Sequence, residues 1–233
     1  MIDGLPGAGK STAAEQVARR IRERGEHAES ILETQIGHPL NAFPPDEIGV
    51  AWPEIHRYTT PDRFASLSLE RWRTLVGSMN DTILVFESFP FQSAIRVLLQ
   101  MDSPRTLIDQ YWNSWQDLVQ GSNACIVYFH EPDPLELIRI TCQSRGEIWT
   151  DYFCRSVEKM RYVEVRGGKG MEAVESLIGA YSALLEQLVA VSRVPLVTFG
   201  ARPASYDVRI KEVFRSLAIS RASNDSTKEV RVA

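Results

Sequence analysis

Three runs along the chain are apolar almost without a break: 82–87 (TILVFE), 124–131 (ACIVYFHE) and 194–199 (VPLVTF). A fourth, 27–33 (HAESILE), alternates before ending in Glu33. Continuous apolar runs of this length suit strands buried on both faces, as in a parallel sheet. Between them, apolar residues recur at helical spacing. Ala14, Val17, Ala18 and Ile21 form one stripe on a charged stretch that stops at Gly25. Phe64, Leu67, Trp72, Leu75, Val76 and Met79 form another, Ile95, Leu98 and Leu99 a third, and Leu107, Ile108, Tyr111, Trp115 and Leu118 a fourth. The clearest runs from Val174 to Leu188, and Ile210, Val213, Phe214 and Leu217 make the last. Strands alternating with helices predict a doubly wound α/β domain. Without any internal repeat, 1–219 reads as a single domain. The segment 34–60, rich in Pro, Gly and His, is the longest irregular stretch, and 34–80 is assigned to the substrate side. The polar, aperiodic 220–233 is expected to be a disordered tail, in part vector residue.

The first helical stripe follows GLPGAGKST, Gly4 to Thr12, which fits G-x-x-x-x-G-K-[ST] in full. In such a loop the glycines let the chain wrap so that backbone N–H groups point at phosphate oxygens. Gly4, Leu5, Pro6, Gly7, Ala8, Gly9, Lys10, Ser11 and Thr12 are therefore the expected phosphate-binding residues. Lys10 would reach the β and γ phosphates as a point charge, exposed to ligand rather than packed, and the Ser11 hydroxyl would ligate Mg²⁺. The following helix adds its positive N-terminal end.

Composition changes this picture little. The chain has 233 residues, 44% of them hydrophobic and 24% charged, as in ordinary globular proteins. A net charge of −4 and a pI near 5.7 make nucleic acid an unlikely partner. No apolar run approaches a membrane span, no signal peptide is expected, and the three scattered cysteines suggest neither a disulfide frame nor a zinc site. A reducing cytoplasm fits best. The four histidines show no metal spacing and are read as structural or solvated. Expected partners are ATP and a small-molecule substrate, with a homodimer as a candidate assembly.

Ligands of open parallel sheets sit at the carboxyl ends of the strands. Glu87 ends one buried run, where its carboxylate can hold Mg²⁺ or orient an attacking hydroxyl. Glu33 ends another, as general base or substrate hydrogen-bond partner. Arg139 and Arg145 follow the 124–131 run, Arg145 beside a helix-ending Gly146, where an arginine on a closing flap could meet transition-state charge. The last run leads into Gly200, Ala201, Arg202 and Pro203, a loop that could bracket an adenine ring. The aromatics of 52–115 could wall a ring-binding pocket, with core packing the simpler account of most. Arg57, Arg63, Arg71 and Arg73 could hold an anionic group or form a solvated face.

These pieces together resemble the nucleoside and nucleoside-monophosphate kinases, in the thymidylate-kinase and deoxynucleoside-kinase direction. GLPGAGKST is similar to their phosphate loop, DPLELIRITCQSRGEIW to their lid, and VTFGARPASYDVRIKEVF to an adenylate-kinase adenine loop and last helix. The resemblance covers about 1–33, 82–90 and 124–220. It implies a three-layer α/β/α P-loop NTPase fold, a central parallel sheet of about five strands in the order 2-3-1-4-5, helical substrate and lid insertions (136–168 as lid), and ATP with Mg²⁺. The chain departs from the pattern at Ser88, where a Glu-Arg-Ser motif would place Arg, and no Asp-Arg pair follows the second strand.

Three activities are compatible with these residues: transfer of phosphate to a small molecule, a regulatory ATPase switch acting through a partner, and a kinase of polynucleotide ends. No [NT]-K-x-D guanine element is present. Met1 to Asp3 supply at most half a strand before the loop, so the native chain is expected to start upstream.

Overall fold

The computed structural model describes residues 1–43, 52–79 and 81–200, together with 211, 213 and 214. It is an α/β structure, and the strands among the described residues are all parallel. Strand β1 (Ile2–Gly4) leads through the loop into α1 (Lys10–Arg22), then β2 (Ala28–Ile31). A short 3₁₀ segment (Trp52–Arg57) precedes α2 (Pro61–Ser78), β3 (Ile83–Phe86), a π-helical turn (Phe91–Ile95) and α3 (Arg96–Gln100). Then come α4 (Arg105–Val119), β4 (Ile126–His130), α5 (Pro134–Arg145), α6 (Glu147–Glu158), α7 (Arg161–Arg166), α8 (Gly170–Ala190) and β5 (Leu196–Gly200). No helix among the described residues is long and apolar enough to cross a membrane.

The strands form two sheets, β1-β4-β5 and β2-β3, rather than the one continuous sheet expected. Among the described residues they meet at a single bridge between Ile2 and Glu87, where Ser88 N–H donates to the Ile2 carbonyl at 2.9 Å. The reason is register. Ile2 lies opposite Val127 of β4 but opposite Glu87, one residue beyond β3, so no residue of β1 stands beside Ile83–Phe86. The 194–199 run departs from expectation too. It forms β5, which pairs only with β4 among the described residues and is half exposed, as an edge strand is.

Local signals set the helix ends. Thr60 caps α2 by accepting from Arg63 N–H, with Pro61 pre-set in the first turn. Asp133 caps α5 through Glu136 N–H, and α5 stops at Gly146, whose φ of 84° few other residues would adopt. Most large aromatics of 52–115 are core. Trp112 stacks on Trp115 at 5.0 Å, and Trp72 and Phe91 pack against this pair. Helices α5 to α8 share a second core, where Ile138, Cys142, Val157 and Val163 close on Val174 and Leu177 of α8. The Ala201, Arg202 and Pro203 positions and the 220–233 tail lie outside the described residues.

Candidate functional site

The loop between β1 and α1 wraps tightly. Gly4 and Gly7 show why side chains are excluded. A Cβ on Gly4 would lie 2.6 Å from the Phe129 carbonyl oxygen, and one on Gly7 (φ 87°) would strike the Thr141 hydroxyl of α5. Thr141 is itself tied to the Leu137 carbonyl at 2.8 Å, so it cannot turn away freely. α5 is thus seated on the Gly4–Thr12 loop. Gly7→Ala is expected to lower the melting temperature. Adding Thr141→Ala should restore only part of the stability, because it relieves the contact and leaves the left-handed φ. Thermal melts of the single and double variants check this.

Lys10 departs from the expectation of exposure. Only 5% of it is accessible, and its Nζ donates to the Leu5 carbonyl and to Gln92 Oε1, both at 2.9 Å. Burial pulls its pKa down, opposed by the charges of Asp3, Glu33 and Glu87. Asp3, also buried, accepts from the N–H groups of Gly4 (2.8 Å) and Phe91 (2.6 Å). Burial pushes its carboxyl up to about 7, against the pull of Lys10 and these backbone donors. Asp3 therefore ties the start of the loop to the π-helical turn.

Ser11 and Glu87 come together. Ser11 Oγ donates to Glu87 Oε1 at 3.1 Å, and Glu87 Oε2 accepts from Glu33 N–H at 2.9 Å. Ser88 donates its hydroxyl to Oε1 at 2.9 Å. The chain turns sharply there, with Ser88 at φ 66° in a region non-glycine residues rarely occupy, followed by a cis Phe89–Pro90 bond. These oxygen donors suit a hard cation. Mg²⁺ takes one or two protein oxygens and fills its remaining positions with phosphate and water. Among the described residues no cluster of three or more His, Cys, Asp or Glu could hold a metal.

Glu33 faces the same centre. Gln92 Nε2 donates to its Oε2 at 2.5 Å, Ser93 Oγ to its Oε1 at 3.1 Å, and Arg96 lies 3.9 Å from Oε1. Gln92 thereby bridges Lys10 and Glu33. His38 stacks on Phe89 at 4.6 Å, accepts from Leu40 N–H at Nδ1, and has its pKa pulled down to about 4 by burial. A neutral imidazole accepting at Nδ1 carries its proton on Nε2, and that buried atom has no hydrogen-bond partner among the described residues.

The arginines stand apart from this cluster. Arg139 pairs with Glu175 of α8 at 2.6 Å, and Arg145 lies with its guanidinium 4.7 Å over the Trp149 ring. Neither bonds a loop residue among the described residues. Gly200 ends β5, opposite His130.

Sequence reasoning misses Gln92, Ser93, Arg96, Asp3 and His38. The first three fall in FQSAIR, whose polar residues carry no motif spacing and reach Glu33 only because the π-helical turn follows β3. The sequence offers only a structural or solvated reading of His38, and its orphaned Nε2 beside the site alone raises another use. No protein-family model matches the chain, and no curated protein matches it.

Proposed function

We propose that this protein is an ATP-dependent phosphotransferase that moves the γ-phosphate of Mg·ATP to a small hydroxylated acceptor. On this reading it is a divergent member of the nucleoside and nucleoside-monophosphate kinase group, its five strands acting together in the order 2-3-1-4-5. The observation that carries it is the convergence of Lys10, Ser11, Glu87 and Glu33 at one end of the parallel strands, joined by direct hydrogen bonds and by Gln92.

Phosphoryl transfer asks mainly for positioning and charge stabilisation. Gly4 to Thr12 would cradle the triphosphate with backbone N–H groups, and Lys10 would exchange its two present acceptors for phosphate oxygens. Ser11 and Glu87 would hold Mg²⁺, which supplies charge neutralisation on the phosphates when bound. Glu33, oriented by Gln92 and Ser93, would accept the acceptor's hydroxyl proton. Gly200, Ala201, Arg202 and Pro203 are the adenine-side candidates. The test is a γ-labelled Mg·ATP assay over nucleosides, nucleotides, aminoglycosides and other polyols. Label on an acceptor supports the reading, whereas label only in free phosphate, or on RNA ends, sinks it.

One observation favours a second reading, a regulatory ATPase switch acting through a partner. Arg139 is engaged by Glu175 and Arg145 by Trp149, and a switch leaves its stabilising arginine to another protein. Arg145 decides between them. If it swings in on closure, Arg145→Ala lowers kcat and kcat/KM together by about 10²-fold. A rise in KM alone would make it a ground-state phosphate clamp, and no effect would favour the switch.

A further inference from the structure

Arg139 and Arg145 are engaged away from the candidate site, and a different arginine touches it. Arg96 opens α3, directly after the π-helical turn whose Gln92 and Ser93 hold Glu33. A series of contacts crosses the site. Lys10 Nζ donates to Gln92 Oε1 at 2.9 Å, Gln92 Nε2 donates to Glu33 Oε2 at 2.5 Å, and Glu33 Oε1 lies 3.9 Å from Arg96 Nη2. In this order Lys10, the phosphate lysine, stands at one end and Arg96 at the other, next to the proposed base. The two cations feel each other: burial pulls the Lys10 ammonium's pKa down, and the Arg96 charge adds to that pull.

Arg96 is held in place but not satisfied. A guanidinium carries several N–H donors and no acceptor. Nη1 donates to Gln100 Oε1 at 3.1 Å, and buried Gln100 is anchored in turn by donating to the Trp52 carbonyl at 2.8 Å. Nε is buried and has no hydrogen-bond partner among the described residues. Nη2 stops beyond hydrogen-bond distance of Glu33, whereas a guanidinium serving only to neutralise a carboxylate closes to about 2.7–2.9 Å. The side chain keeps 22% of its surface accessible, so the unspent donors of its head can be reached. An uncharged polyol at Glu33 would leave this charge and these donors unused, and a cationic acceptor would bring its charge against the guanidinium. An anionic group uses both.

We propose that Arg96 binds an anionic group of the acceptor, so that the acceptor is a small hydroxylated anion with its hydroxyl at Glu33 and its carboxylate or phosphate at Arg96. This rests on the phosphotransferase reading above and narrows its substrate class. The 3.9 Å between the two side chains limits the acceptor's shape. Hydroxyl and anion have to lie a few bonds apart, as in a hydroxy acid or a small phosphate ester. In the transfer, the hydroxyl oxygen forms a bond to the γ-phosphorus and the bond from that phosphorus to the β–γ bridging oxygen breaks. ADP leaves with the electron pair, and the hydroxyl proton goes to Glu33. Arg96 makes and breaks no bond; it offsets the acceptor's charge beside Glu33.

The probes are glycerate, glycerol 3-phosphate and glycerol, which share one carbon skeleton and differ in charge. In the full chain saturated with Mg·ADP, the Arg96 Nε–H resonance is assigned by its loss in Arg96→Lys. It is expected to move, and to exchange with solvent at least about tenfold more slowly, on adding one or both anions, and to stay in place with glycerol. Comparing the two anions shows whether carboxylate or phosphate is taken. In the γ-labelled assay the preferred anion should exceed glycerol in kcat/KM by about 10²-fold or more. Arg96→Met should lose that preference through a higher acceptor KM, with the KM for ATP changed less than about threefold, and Arg96→Lys should keep part of it. An equal loss for all three probes in Arg96→Met would make Arg96 structural and overturn the proposal. So would an Nε–H that ignores both anions, or one that moves with Mg·AMPPNP alone, which would assign Arg96 to the γ-phosphate. An Nε–H that answers the anions in a chain that transfers no phosphate would support the anion site and end the phosphotransferase reading.

Discussion

Lys10→Ala is expected to remove phosphate transfer almost completely, lowering kcat by about 10³-fold or more, the scale seen when a preorganised donor to developing charge is lost. The lysine's burial sharpens this expectation. Its ammonium sits in a desolvated pocket among Asp3, Glu33 and Glu87, where a charge acts on a neighbouring phosphate with little screening by water. The same burial complicates the variant. Alanine leaves the Leu5 carbonyl and Gln92 Oε1 without their donor, a cost of about 1–3 kcal/mol for a buried polar group. Lys10→Met keeps the stem and is the better control for folding. Both variants should retain native circular dichroism, with melting temperatures a few degrees lower, and both should lose transfer. Unchanged turnover in Lys10→Met would end the phosphotransferase reading.

The parts of this molecule legible in the sequence are those fixed by local rules. Thr60 with Pro61, Asp133 with Pro134, and Gly146 mark helix ends by capping and backbone conformation, which neighbours in sequence decide. The runs 82–87 and 124–131 become β3 and β4 because an uninterrupted apolar run has to bury both faces. The pairing between sheets is not legible. It depends on which residue of β1 stands opposite which residue of β3, and three residues of β1 hold no pattern that could specify it. The 194–199 run misleads because its apolar residues belong to an edge strand, where one side carries no further strand among the described residues.

The candidate site divides in the same way. The loop residues Gly4 to Thr12 declare themselves by spacing, since their chemistry lies in contiguous backbone. Glu33 and Glu87 can be picked out as strand ends, yet nothing in sequence shows that Glu87 would touch both Ser11 and the backbone of Glu33. Gln92 is invisible, because its role comes from contacts with residues 82 and 59 positions away. Arg139 and Arg145 stand out as charges that follow the 124–131 run, a criterion that a surface pair such as Arg139–Glu175 meets equally well.

Glu87→Gln should reduce turnover by about 10²- to 10³-fold while changing ATP affinity by less than about threefold. The substitution keeps shape and leaves an amide oxygen able to accept from one neighbour, but removes the negative charge. In the present arrangement Oε1 accepts from the hydroxyls of Ser11 and Ser88, and Oε2 from Glu33 N–H, so the carboxylate has donors on both oxygens. An amide NH₂ placed toward either side faces a donor, which turns one hydrogen bond into a clash of like groups. Two consequences separate. The lost charge weakens Mg²⁺ binding, so activity should need more Mg²⁺ than the wild type at equal ATP. The broken bond to Glu33 N–H should loosen the backbone that carries the proposed base, so part of the loss should persist at saturating Mg²⁺. Titrating Mg²⁺ in the variant reads both. Full recovery at high Mg²⁺ would assign Glu87 to the metal alone. Normal turnover at every Mg²⁺ concentration would reduce it to a buried strand-end residue that only fastens Ser11 and Glu33.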